Sequence, residues 1–211
     1  MSVTNDIFAA VVDGDQEVTD DLVRQALEAG IPAATVLGEG LIAAMAEVGH
    51  RFEHGEYFVP DMLVSARAMK AGMERLRPYL VAADVKPIGK VVIGTVKGDL
   101  HDIGKNLVAV MLQGAGFQVI DLGVDVSPER FVETARETGA NVVALSALLT
   151  TTMPGMASVV TAVKEAGLHG HVKVLIGGAP INQEFANLIG ADGFAPDAAQ
   201  AASRARELMG L

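Results

Sequence analysis

The chain has 211 residues, half of them hydrophobic but only 4% aromatic, with 16 basic against 26 acidic side chains and a formal charge of −10. That length accommodates two small domains with sizeable cores, and so acidic a balance repels phosphate backbones and anionic lipid, which argues against nucleic acid or a membrane surface as partner. The absence of Cys excludes disulfides, thiolate zinc sites and Cys nucleophiles.

Residues 1–81 carry only helical signals. A short apolar-sided segment at 4–12 is followed by one at 18–29, with Asp20 and Asp21 near its start and Gly30 after it. Pro32 opens a long segment in which Val36, Leu37, Leu41, Met45, Val48 and Phe52 recur at helical spacing, and Pro60 opens another striped with Met62, Leu63, Ala66, Met69, Met73 and Leu76. Four helices with short connections predict a small antiparallel bundle over residues 1–84. The N-terminal MSVTNDIF lacks the basic start and apolar stretch of a secretory signal, and no apolar window is long enough to span a bilayer, so a cytoplasmic address is expected.

VAADVKPIG, residues 81–89, has the small and Pro/Gly character of a linker. Beyond it, β-rich runs at 90–96, 118–121, 142–146 and 172–176 alternate with helical segments at about 104–115, 128–138, 153–167 and 197–209, and a last short strand is expected near Gly193 and Phe194. Alternation of this kind predicts parallel strands with right-handed crossovers, so residues 85–211 read as a doubly wound, flavodoxin-like α/β domain of five strands. In such sheets ligands bind outside the carboxyl ends of the strands. Three unusual clusters fall there: GDLHDIGKN after strand one, SALLTTTM after strand three and GGAP after strand four.

The first cluster is not a phosphate loop. Gly98 and Gly104 bracket five residues rather than four, Asn106 stands where a hydroxyl belongs, and Leu100 occupies the second glycine of a dinucleotide fingerprint. A response-regulator acceptor is missing too, since Ser146 follows strand three. In Asp99-Leu100-His101, extended backbone sends the two polar side chains to one side, so the carboxylate can take the imidazole Nδ1 proton and leave Nε2 as a basic lone pair. One His alone is a poor site for a free ion, because zinc wants three or four protein ligands. His101 is thus either a satisfied loop residue or the single ligand of a metal that brings its other ligands with it. Asp102 is equally readable as the N-cap of the following helix or as a ligand contact, and Lys105 and Asn106 as pins of the loop or as contacts to amides. His50 and His54, four apart at a fraying helix end, read as surface residues, and the Met stripe as bundle core.

GDLHDIGKN, LSALLTTTM and IGGAP in that order resemble the Asp-x-His-x-x-Gly, Ser-x-Leu and Gly-Gly motifs of cobalamin-binding domains. The preceding GHRFEHGEYFVPDMLVSARAMKAG and LRPYL resemble the helical cap of methionine synthase and of the corrinoid proteins of methanol, methylamine and O-demethylating methyltransferase systems. The likeness covers essentially the whole chain. It implies a carrier that holds cobalamin, with His101 as the lower axial cobalt ligand, Asp99 as its hydrogen-bond partner and Thr152 completing a relay. It also implies cofactor contacts at Gly98, Asp102, Ile103 and Gly104, and at Ser146, Leu148 and Thr150. Room for the displaced nucleotide tail would come from Gly94, Gly177 and Gly178, with Ala179 and Ala198 as neighbours, and Phe52 and Val59 would cover the upper corrin face.

The implied activity is methyl carriage, with the cofactor alternating between cob(I)alamin and methylcobalamin. The implied partners are a substrate-specific methyltransferase on the donor side, a second methyltransferase on the acceptor side and a reductive activase. The chain has no barrel to recognise a methyl donor. The alternatives within the resemblance are the cobalamin subunit of an adenosylcobalamin mutase, disfavoured by the 81-residue helical segment, and a cobalamin-dependent sensor, for which a DNA-binding module and any Trp are missing.

Overall fold

A computed structural model describes residues 2–211, and the chain divides into two compact units. One holds the residues up to Pro87 together with Gly114–Gly116, the other Ile88–Gln113 and Phe117–Leu211.

The first unit is helical. Helix α1 (Val3–Val12) starts where the Ser2 hydroxyl accepts from Asn5 N–H, and α2 (Gln16–Glu28) where the Asp15 carboxylate accepts from Val18 N–H. A third rod follows, made of α3 (Ala33–Thr35), a π-helical stretch (Val36–Ile42) and α4 (Ala43–Glu53). Sequence periodicity predicts one uninterrupted helix there. Instead the Ala43 N–H reaches Gly38 O, one residue further back than an α-helix allows. Close approach explains part of this: a Cβ on Gly40 would lie 2.9 Å from Ile7 Cγ2, so the stretch lies against α1 where a side chain would not fit. Helix α5 (Val59–Ala82) has Pro60 in its first turn, where the missing N–H costs nothing, and runs on into the segment that reads as a linker. Ile7, Val11, Val23, Leu41, Met62 and Leu76 are fully buried in this unit, with Met69 buried and Met73 half-buried, so the Met stripe is core.

The second unit contains β1 (Lys90–Thr95), α6 (Ile103–Gly114), β2 (Gln118–Asp121), α7 (Pro128–Thr138), β3 (Val142–Ser146), α8 (Met153–Glu165), β4 (Lys173–Gly177), α9 (Gln183–Ile189), β5 (Gly193–Ala195) and α10 (Ala198–Leu208). The five strands are parallel in the order β2-β1-β3-β4-β5. The order reverses between β1 and β3, and that is where a crevice opens at the carboxyl edge of such a sheet. Register sharpens the point: Thr95 pairs with Ser146 and Ser146 with Gly177, so the loops after β1, β3 and β4 leave the sheet at one level. Val91, Val92, Val142 and Val143 are fully buried, as helices on both faces require.

Two features of this unit go beyond the sequence reading. Helix α9 lies in a segment that carries no predicted element. It has seven residues, Asn182 caps it, Gly190 ends it, and only Ala186 is buried, which is too short an apolar stripe for periodicity to register. The second is Gly94, in mid-strand, where the tail of a cofactor is expected to need space. A Cβ there would come within 2.8 Å of the Phe131 ring and 3.2 Å of Val126 Cγ2, so that volume is already taken by α7 and its approach. Gly94 is therefore a packing glycine. Gly94→Ala is expected to cost about 1–3 kcal/mol through overpacking, read as a lower midpoint in thermal unfolding of the cofactor-free protein.

Candidate functional site

The loop after β1 turns sharply. Gly98 has φ +84°, a conformation open to glycine, and the chain then places Asp99 inside the protein and His101 at its surface. The Asp99 side chain is 0% exposed, yet it is a fully employed acceptor. Its Oδ1 accepts from His101 Nδ1 at 2.7 Å and from His101 N–H at 3.1 Å. Its Oδ2 accepts from Leu148 N–H at 2.8 Å and from the Thr152 hydroxyl at 2.7 Å. Burial pushes the Asp99 carboxyl upward, but the donors from Leu148, Thr152 and His101 outweigh it and hold the group well below the usual carboxylate range. The result is a buried anion with one imidazole proton pointed at it.

Committing Nδ1–H to Asp99 leaves the lone pair on Nε2 of a side chain that is 51% exposed. The ring is held from the backbone side as well, because buried Thr95 donates its hydroxyl to His101 O at 2.8 Å. Thr152 stands at the N-cap of α8 but makes no capping bond; its hydroxyl turns to Asp99, with Leu149 O at 2.9 Å as a second acceptor. Asp99, His101, Leu148 and Thr152 thus come together in one network across β1 and β3.

Behind β4 the backbone passes very close to the same loop. Gly178 has φ +136°, and a Cβ on it would lie 2.0 Å from Ala147 O, while one on Gly177 would meet Ala195 O at 3.0 Å. Around His101 the side chains of Leu100, Ile103, Leu148 and Leu149 are all exposed, an unusual concentration of apolar surface at a polar loop. Gly98, Gly104, Thr150 and Ala179 are exposed on these connections, Ser146 closes β3, and Ala198 is buried at the start of α10. Phe52 and Val59 belong to the helical unit, Phe52 half-buried in the last turn of α4 and Val59 exposed as the first residue of α5.

The other polar residues of the loop have partners within the protein. The Asp102 carbonyl accepts from Asn106 N–H and its carboxylate from Asn106 Nδ2 at 3.1 Å. Lys105 is buried and pairs with Asp121 Oδ2 at 2.5 Å and Asn106 Oδ1 at 2.7 Å, so it pins α6 to the end of β2. His50 and His54 stack at 4.2 Å between ring centres, with His54 Nδ1 2.8 Å from His50 O. Sequence reasoning passes over Thr95 and Asp125. The first is hidden in an apolar strand, and the second betrays itself only through its backbone angle.

A five-stranded parallel sheet with a buried carboxylate and a half-exposed imidazole at its switch point, in a chain that also carries a helical unit, is the layout of a cofactor-binding α/β domain. Among the described residues no group of three or more His, Cys, Asp or Glu side chains could hold a metal ion. Models described as B12 binding domain match residues 89–203 and, separately, residues 3–77. The chain belongs to the B12-binding family of corrinoid proteins. It is 43% identical to trimethylamine corrinoid protein 1 of Methanosarcina acetivorans over 202 residues, 95% of this chain and 94% of that one. Among solved structures, a cobalamin-binding protein from Desulfitobacterium hafniense DCB-2 matches with a TM-score of 0.83 and 32% identity, over 99% of this chain and 98% of the other. The methanol:cobalamin methyltransferase complex MtaBC from Methanosarcina barkeri contains a chain that matches with a TM-score of 0.88 and 29% identity, over 99% of this chain and 80% of that one.

Proposed function

We propose that this protein is a cytoplasmic methyl carrier that binds cobalamin with His101 Nε2 as the protein's axial ligand and docks in turn on two methyltransferases. The observation that carries it is the His101–Asp99–Thr152 network, two 2.7 Å hydrogen bonds on a fully buried carboxylate at the sheet's switch point. The relatives support the assignment: one is a trimethylamine corrinoid protein, another sits in a methanol:cobalamin methyltransferase complex. Among the described residues no helix is long and apolar enough to cross a membrane.

Bound cobalamin supplies a cobalt centre able to take up and give up a methyl group. The protein's part is to present, orient and shield. Asp99, kept ionised by its donors, holds the proton on Nδ1 and so makes Nε2 the more basic nitrogen. The Thr152 hydroxyl donates to Oδ2 of the same carboxylate and so fixes its orientation. Gly177 and Gly178, with Ser146, Leu148 and Thr150, would hold the cofactor's nucleotide tail, and Ala179 and Ala198 would keep the neighbouring volume small. Gly98, Asp102, Ile103 and Gly104 would contact the cofactor beside His101. Residues 1–84 would serve as the helical cap domain, with Phe52 and Val59 as its cofactor-shielding residues, and residues 85–211 as the cobalamin-binding domain. A reductive activase completes the set of partners.

Reconstitution with cobalamin tests the ligand. The wild-type chain is expected to give the absorption spectrum of a histidine-ligated corrinoid, and His101→Ala to bind at least tenfold more weakly with a spectrum shifted to that of the unligated form. A wild-type protein that stays colourless, or a His101→Ala spectrum that does not change, would reject the assignment.

A further inference from the structure

The histidine loop is gripped by a neighbour that the motif does not contain. Asp125 lies in the connection from β2 to α7 and holds φ +54°, one of two non-glycine residues with positive φ among those described, the other being Asp84. Left-handed backbone is unfavourable for a residue with a Cβ and persists where the surroundings over-determine it. Here they do. The Asp125 carboxylate accepts from Gly98 N–H at 2.8 Å, and the Asp125 N–H donates to Asp99 O at 3.0 Å. Two successive residues of the histidine loop are therefore held by the side chain and the main chain of one residue, 27 positions away.

Gly98 is itself left-handed, so the turn it makes is a joint with wide conformational freedom unless something fixes it. Asp99 follows directly, and the direction of its carboxylate depends on that joint. The same connection holds the loop elsewhere too: Gly123 O accepts from Thr95 N–H, Val126 pairs with Val96 in an isolated bridge, and Asp121 anchors buried Lys105 beyond the loop. Lys97 Nζ stands 3.6 Å from Asp125 Oδ1, but both side chains are largely exposed and that contact contributes little.

We infer that Asp125 is a positioning residue for the axial ligand, a left-handed clamp on Gly98 and Asp99 that aims the Asp99 carboxylate at His101 and so favours the ligated state. This rests on His101 being the cobalt ligand. The clamp requires an acceptor on a residue that tolerates positive φ, and the charge itself is dispensable. Asn meets both conditions, whereas Gly meets only the backbone one.

The test uses the full chain, labelled with 15N-histidine and loaded with cob(II)alamin, so that an axial histidine nitrogen splits the Co(II) EPR signal into doublets whereas the cofactor's own benzimidazole nitrogen splits it into triplets. Asp125→Gly is expected to lower the ratio of histidine-on to histidine-off protein by roughly tenfold, the equivalent of losing one such hydrogen bond. Asp125→Asn should stay within about twofold of wild type, as should Lys97→Met, with thermal midpoints of the cofactor-free proteins recorded alongside. A wild-type ratio in Asp125→Gly, or a fall in Asp125→Asn or Lys97→Met as large as in Asp125→Gly, would overturn the clamp. His101→Ala serves as the control: loss of the histidine doublet there upholds the ligand assignment independently of Asp125, and a retained doublet removes the assignment and the clamp with it.

Discussion

Asp99→Asn is expected to lose histidine ligation and to destabilise the cofactor-free protein by about 2–4 kcal/mol, although it changes one atom. The wild-type carboxylate faces only donors: His101 Nδ1 and N–H on one oxygen, Leu148 N–H and the Thr152 hydroxyl on the other. An amide must turn its NH2 toward one of these sets. Directed at Leu148, it leaves a buried N–H facing a donor, a penalty of about 1–3 kcal/mol before any other loss. Directed at His101, it meets the main-chain N–H and forces the ring to the tautomer with Nδ1 bare, which places the proton on Nε2 and removes the lone pair that a metal needs. Either orientation is costly, and the second abolishes ligation outright. Chemical denaturation gives the stability and the reconstituted spectrum gives the ligation.

The pH dependence of that loss has a definite sign. The native Asp99 carboxyl lies below its ordinary value, so its stabilising contribution is fully present above the unfolded value of about 3.9 and is lost as pH falls toward the folded one. The stability gap between wild type and Asp99→Asn should therefore be widest from about pH 5 upward and narrow steadily below about pH 4. A gap that widened on acidification would mean that the carboxylate is not the stabilised form.

Gly178→Ala carries the second large effect. Its Cβ would lie 2.0 Å from Ala147 O, a main-chain atom that no rotamer change can move, and the residue would also have to hold φ +136°. Strain of both kinds predicts a loss of about 3 kcal/mol or more, which in a chain of this size lowers the thermal midpoint by roughly 6–12 °C. The carbonyl that would be displaced belongs to the residue before Leu148, whose N–H serves Asp99. Cobalamin affinity should fall along with stability. A variant that melted like wild type would show that the β3 and β4 connections have slack the close approach does not suggest.

Much of this was written plainly in the chain. Strands buried on both faces leave unbroken apolar runs such as VVALS, and β3 falls where that run stands; the edge strand β2, QVID with only its middle pair half-buried, also falls at 118–121, while β4 starts one residue later because Val172 is drawn into a bridge with His169. The Asp99–His101 contact was legible because two residues of separation suffice to make it. Thr152 lies 53 residues from Asp99, and no local pattern links them; only the resemblance joined the two. The π-helical stretch shifts the helical phase by a single residue, which a stripe of Val36, Leu41, Met45 and Val48 absorbs without a visible break. Gly94 shows another limit. A glycine in an apolar strand signals that something comes close, and the sequence does not say that Phe131 is one of its neighbours.

The same long separations have a bearing on how the protein matures. Asp99 is satisfied by Leu148 and Thr152, 49 and 53 residues downstream, and those partners reach it only after β3 has docked beside β1. Until then no long-range partner fixes the Asp99 carboxylate, so the network proposed to present His101 to the cofactor would be complete only in a chain whose sheet is correctly laced.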